Sequence, residues 1–190
     1  MALTKVQADG VNLADNFAFS GDVTGAGKVV QVQRAVVNNP SSTQTASNSY
    51  IPVNSTPTCT ITPKFANSII IVQCSGPIAH FNAGSGSGNY GPIYNIGRSV
   101  AGGAYAMVDT TGPLWGFYKA TQTVSHWEDL VANYSWPDLP SYTVGQSIAY
   151  KMYGRKTTNS LNTWLNHHGG IGSVGGGSTS LYVIATEIAQ

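Results

Sequence analysis

The sequence predicts an all-β fold, an antiparallel sandwich, on three observations. Apolar residues recur at every second position in short runs, Gly, Pro and Asn punctuate those runs, and helical periodicity is almost absent. The closing segment carries the pattern most clearly. Tyr182, Ile184, Thr186 and Ile188 fall on one face and Leu181, Val183, Ala185 and Glu187 on the other. Both faces are largely apolar, as expected of a central strand buried inside a sandwich or against neighbouring subunits.

The expected strands follow in order. Val29–Val37 stops at Asn38-Asn39-Pro40, and Ser49–Val53 comes next. Thr58–Thr62 ends at Pro63, and Ser68–Ser75 lies between Asn67 and Gly76-Pro77. Pro92–Arg98 follows Gly91, Ala104–Val108 follows Gly102-Gly103, and Trp115–Val124 follows Gly112-Pro113. Gln146–Arg155 starts after Gly145, and Ser180–Ala189 after Gly175-Gly176-Gly177. Each boundary uses a residue that either frees the backbone or removes a ladder donor. One stretch carries a competing signal. Ser125-His126-Trp127-Glu128 fits a capping box, with Trp127, Leu130, Val131 and Tyr134 at helical spacing. A two-turn helix before Pro137 therefore competes with an irregular strand, and the strand is the preferred expectation.

Residues 1 to about 28 differ from the rest. Val11/Leu13 and Phe17/Phe19 are two-residue alternations separated by Asp9-Gly10, Ser20-Gly21-Asp22 and Gly25-Ala26-Gly27. Strands this short build no core within one chain, so residues 1–28 are expected to form an attachment arm or short shaft. Residues 29–190 are expected to form one β-sandwich head. Two Gly-rich stretches, residues 83–91 and 167–178, read as long loops between strands; neither carries the pattern of a phosphate loop.

Composition narrows the function. Only 9% of the 190 residues are charged, and the net charge is +1, against about 25% charged in an average soluble domain. No basic patch is available to neutralise phosphates, which argues against a nucleic-acid partner. No apolar run reaches the roughly 18–20 residues of a membrane span, and the first ten residues lack the apolar segment of a secretory signal. No membrane insertion is expected. Ser, Thr, Asn and Gln together supply about 31% of the chain. Such side chains hydrogen-bond with little loss of rotamer entropy, and a surface poor in charge lets identical chains pack around an axis. A rigid structural or assembly protein fits this composition.

Catalytic and metal signals are weak. Glu128-Asp129 are adjacent and on a strand would point to opposite faces, which does not suit paired-carboxylate chemistry. No Gly-x-Ser-x-Gly elbow occurs. His167-His168 cannot chelate as an i, i+4 pair would, and no metal site or cofactor is expected. Cys59 and Cys74 flank the expected hairpin of Thr58–Thr62 and Ser68–Ser75. That spacing allows a cross-strand disulfide, although two small buried thiols are the preferred expectation. Aromatic residues are the better clue. Trp115 is expected in the core. Trp136 and Trp164 fall near expected loops, and with Tyr90, His167 and His168 they form a candidate contact set for a glycan or protein surface.

Several of these segments also carry a resemblance. Leu13-Ala-Asp-Asn-Phe-Ala-Phe-Ser-Gly-Asp-Val-Thr-Gly-Ala-Gly resembles the segment before the C-terminal domain in tail-fibre and virion structural proteins of marine and cyanobacterial phages. Val29-Val-Gln-Val-Gln-Arg, the block from Thr58 to Val72, the stretch from Pro137 to Arg155 and the ending Leu181–Ala189 are similar to that family in the same order. The resemblance implies a homotrimer whose head is a jelly roll of the tumour-necrosis-factor and C1q type. It also implies an arm that docks on other virion proteins (a tail adaptor, baseplate or capsid) through Leu13, Phe17 and Phe19. The protein implied is a non-enzymatic tail fibre or spike of the virion that adheres to a host-cell glycan or protein. A capsid or tail decoration protein without receptor binding is the alternative.

Overall fold

The computed structural model describes residues 27–38, 43–45, 48–53, 56–82, 92–116, 126–156, 163–165 and 180–190. Within them the chain forms strands β1 (Lys28–Asn38), β2 (Thr43–Thr45), β3 (Ile51–Pro52), β4 (Cys59–Ile61), β5 (Ile69–Asn82) and β6 (Pro92–Val100). Strands β7 (Ala106–Met107), β8 (Trp115–Gly116), β9 (His126–Asp138), β10 (Ile148–Lys156), β11 (Thr163–Leu165) and β12 (Ser180–Ala189) follow. The described residues contain no helix, and every strand pairing is antiparallel. The fold is all-β, as expected.

One sheet runs β1-β12-β5-β9. The other is centred on β10 and β6, and both of its edges are split. β3 and β4 share the outer side of β10, while β7 and β8 share the outer side of β6. A short pair, β11-β2, stands apart. The period-2 pattern explains the layering. In β12, Leu181, Val183, Ala185 and Glu187 are buried while Tyr182, Ile184, Thr186 and Ile188 are half-buried. β10 alternates likewise, burying Ile148, Tyr150 and Met152. Ile70, Val72, Cys74, Leu181 and Val183 of the first sheet meet Ile61, Tyr94, Ile96, Tyr150 and Met152 of the second in one core. At about 1.5–3 kcal/mol for each large apolar side chain removed from water, this sandwich-like contact is the main favourable term.

β12 lies between β1 and β5, the central place its two apolar faces predict. The Ser125–Tyr134 stretch resolves as strand rather than helix from His126 onward, because β5 offers β9 a continuous partner from Ile70↔Asp138 to Asn82↔His126. Pro137 is tolerated there because β9 is the edge of its sheet, where a missing N–H breaks no further ladder. Trp115 packs against the core, 5.7 Å from the Tyr94 ring.

The hairpin expected around Cys59 and Cys74 does not form. β4 pairs with β10 and β5 with β12 and β9, so the connection from Thr62 to Ser68 crosses from one sheet to the other. Glu187 makes that crossing possible. Its fully buried carboxylate accepts hydrogen bonds from Lys64 N (2.9 Å), Phe65 N (3.2 Å), Ser68 Oγ (2.8 Å) and Gln31 Nε2 (2.6 Å). The crossing backbone thus meets an acceptor without pairing to a strand. Both cysteines are buried and free. Residues 1–26, the bulk of the expected arm, lie outside the described residues. Gly27 N donates to Ala189 O (2.8 Å) and so ties the start of β1 to the end of β12.

Candidate functional site

The second sheet carries a cleft at one end. Its cavity of about 400 Å³ is lined by Tyr50, Met107, Asp109, Thr110, Thr111, Gly112 and Arg155. Antiparallel pairing assembles it. Tyr50 immediately precedes β3, whose Ile51 pairs with Gly154 on β10, so Tyr50 and Arg155 arrive together. The Arg155 guanidinium lies over the Tyr50 ring, 5.1 Å from its centroid, a cation–π contact. Tyr50 Oη is buried and takes no hydrogen bond among the described residues.

The opposite wall is the turn at Asp109-Thr110-Thr111-Gly112. Asp109 Oδ1 accepts from Thr111 N (2.8 Å) and Thr111 Oγ1 (2.6 Å), a self-closed Asx turn. Those hydrogen bonds from Thr111 hold the Asp109 carboxyl below the usual carboxylate range. Asn95, fully buried in β6, anchors the turn. Its Nδ2 donates to the carbonyls of Asp109 (2.8 Å) and Gly112 (3.1 Å), while its Oδ1 accepts from Ile96 N (2.8 Å). A buried amide with its donors and acceptor engaged fixes both ends of the loop to the sheet.

The cleft therefore presents a cation on an aromatic ring, a preformed anion, hydroxyls at Thr110 and Thr111, and the Met107 thioether. Among the described residues no carboxylate lies within ion-pair distance of Arg155; the ion pair they contain is Arg98–Asp138 (2.6 Å). Among the described residues the carboxylate lining the cleft is Asp109, and the groups gathered there suit recognition of a hydroxyl-rich or anionic ligand.

Arg98, Asp138 and Tyr150 form a second polar group that links the two sheets. Asp138 Oδ1 takes Arg98 Nη1, and its Oδ2 accepts from Tyr150 Oη at 2.8 Å. Burial pushes the Asp138 carboxyl above its ordinary value, against the opposing effects of Tyr150 and Arg98. Burial and the neighbouring Asp138 charge push the Tyr150 phenol up strongly. Its position within the sandwich makes this a structural group.

The residues singled out from sequence lie elsewhere. Trp136 is in β9 opposite Val72, half-buried against the core, and not on a loop. Pro137 and Pro140 suggest a turn there, but an edge strand accommodates Pro137. Trp164 sits in β11 opposite Gln44 of β2. Tyr90, His167 and His168 lie outside the described residues, as do Leu13, Phe17 and Phe19. The sequence reading missed all the cleft residues, although Asp109-Thr-Thr-Gly is a legible Asx-turn signature. Among the described residues no group of three His, Cys, Asp or Glu side chains could hold a metal ion. Compared with protein-family models and with curated proteins, the chain matches none.

Proposed function

We propose that this chain is a virion structural protein of the tail-fibre or spike type. Its head assembles as a homotrimer, its arm docks on another virion protein through Leu13, Phe17 and Phe19, and the head adheres to a host-surface glycan or protein. The observation that carries adhesion is the cleft between Tyr50–Arg155 and Asp109–Gly112. It is a preorganised pair of opposite charges on a chain with few charges, mounted on strand ends. Its aromatic ring, guanidinium, carboxylate and hydroxyls are the groups that bind sugars, and repeated heads would add avidity to a weak single contact.

The strand order supports a jelly roll for the head. With each split edge counted as one strand, the sheets run β1-β12-β5-β9 and β3/β4-β10-β6-β7/β8, and every step along the chain between these strands changes sheet except that from β6 to β7/β8, as in two wound Greek keys. The fluorescently labelled full chain should bind susceptible host cells, and Arg155→Ala with Asp109→Ala should abolish the signal. A wild-type chain that is present on the particle yet binds no host cell would instead make this a decoration protein of the capsid or tail.

A further inference from the structure

We infer that the outward face of β10 and β6 beside the cleft is a binding track for an acidic oligosaccharide, an inference that rests on the adhesion reading above and names its ligand class. Alternate residues of β10 supply the track. Ile148, Tyr150 and Met152 are buried on the inner face, so Lys151, Tyr153 and Arg155 share the outer one. At about 3.4 Å per residue these three stand roughly 7 Å apart, and the row spans about 14 Å, more than one sugar ring covers. Gly97 of β6, opposite Lys151, seats the middle residue. A Cβ at Gly97 would collide with the Tyr153 ring, which therefore lies down on the sheet. Tyr105 meets that ring from the side, with centroids 5.8 Å apart and planes tilted by 41°, and is itself 36% exposed. Gly97 also pairs with Met107, which lines the cleft, so the two rings and the cleft form one continuous surface.

Charge and strand pairing select the ligand. Among the described residues no carboxylate lies within ion-pair distance of Lys151 or Arg155, and the hydrogen bond from Arg155 Nη1 to Lys156 O is long, 3.4 Å. Asp109 is the carboxylate on the facing wall of the cleft, and its Oδ1 already accepts twice from Thr111. Two cations on either side of an aromatic ring fit a chain that carries carboxylates on successive sugar rings. The C–H face of one sugar lies on the tyrosines, and the carboxylates meet the guanidinium and the ammonium. β10 is paired on both sides, by β6 and by β3 and β4, so it has no free edge for an extended peptide. Two cations on a chain of net charge +1 supply few of the phosphate contacts that hold a nucleic acid.

Isothermal titration calorimetry of the full chain tests this with galacturonate, glucuronate and mannuronate, each as monomer, as trimer and as the trimer with every carboxyl reduced to a primary alcohol. At least one acidic trimer is expected to bind roughly tenfold or more tightly than its monomer and its reduced form. Tyr105→Ala and Lys151→Gln should each weaken the trimer about tenfold, towards the monomer, with unchanged far-ultraviolet circular dichroism. Tyr153→Phe keeps the ring on Gly97 and should retain the affinity. The track is overturned if no acidic trimer binds, if the reduced trimer binds equally well, or if both weakening variants bind as the wild type does. Tighter binding of hexathymidylate or hexaglutamate also overturns it, in favour of a nucleic acid or an acidic peptide. A wild type that adheres to host cells but fails these titrations keeps adhesion and loses the acidic oligosaccharide. One that binds an acidic trimer but no host cell keeps the track and loses adhesion.

Discussion

Ser68 Oγ donates a 2.8 Å hydrogen bond to Glu187 Oε1, joining the entrance of β5 to the end of β12, its neighbour in the same sheet. Three further donors converge on the same carboxylate, and Tyr142 reinforces the crossing: its hydroxyl donates to Phe65 O at 2.6 Å and accepts from Ser68 N at 3.0 Å. The crossing from β4 to β5 thus depends on a buried anion rather than on strand pairing. Glu187→Ala strands those donors, and the expected loss is about 3 kcal/mol, read as a lower urea midpoint. Glu187→Gln keeps one acceptor and should lose less. Equal losses in the two variants would show that packing, not hydrogen bonding, holds the crossing.

Asp138 gives a pH dependence of defined sign. Its folded-state pKa lies above the ordinary value because of burial, so the folded chain holds this proton more tightly than the unfolded chain does. The contribution is fully present below the ordinary carboxyl pKa and is lost as pH rises through the raised folded value. Asp138→Asn cannot titrate. The stability of the wild type relative to Asp138→Asn should therefore fall between acidic and neutral pH; a rise would mean that the Arg98 pair outweighs burial.

Arg155 and Asp109 should affect binding more than folding. Each lies at the cleft surface, and truncation to Ala is expected to weaken host-cell binding by roughly tenfold or more, about 1.4 kcal/mol. Thermal midpoints should move little for Arg155→Ala. Asn95→Ala should lower both binding and stability, since it releases the two carbonyls that fix the loop.

Ala101 is a site for stabilisation. It adopts a φ of 49° beside Gly102 at 76° in the tight turn after β6, and Gly103 N donates to Val100 O at 3.0 Å. Two successive positive φ values favour Asn-Gly over Ala-Gly. Ala101→Asn is expected to raise stability by about 0.5–1 kcal/mol, seen as a higher melting temperature.

The thiols offer a probe of opening. Burial pushes Cys74 up to about 12, and Cys59 is raised by the same cause. Both should react with a water-soluble disulfide reagent at pH 8 at least about a hundredfold more slowly than in the unfolded chain. Rapid labelling of the native protein would contradict the burial of both groups.

What the sequence revealed depended on how local the signal was. The alternation in Ser180–Ala189 identified a central strand and put Glu187 on the same face as Leu181, Val183 and Ala185, because side-chain period is a local property; the structure shows that this face is the inward one. The partners of Glu187 come from a distant connection, and no pattern announces them. Trp136 looked like a loop residue because Pro137 and Pro140 are turn signals, whereas partnership with β5 decides its place. The cleft escaped for a related reason. Its Asx turn is visible in the sequence, yet only the β3–β10–β6 pairing brings Tyr50 and Arg155 to it. The helix signal over Ser125–Tyr134 was real but local, and a long pairing partner outweighs a capping box.

The bond from Gly27 to Ala189 has a mechanical consequence. Tension applied at Gly27 arrives at the first rung of the β1–β12 ladder, which continues for ten paired positions to Asn38–Ser180. A pull along the strand loads those rungs together in shear, whereas a pull across the sheet opens them one at a time. The sheet is therefore strong in one direction and weak in another, and the angle of a pull at Gly27 sets the force it withstands.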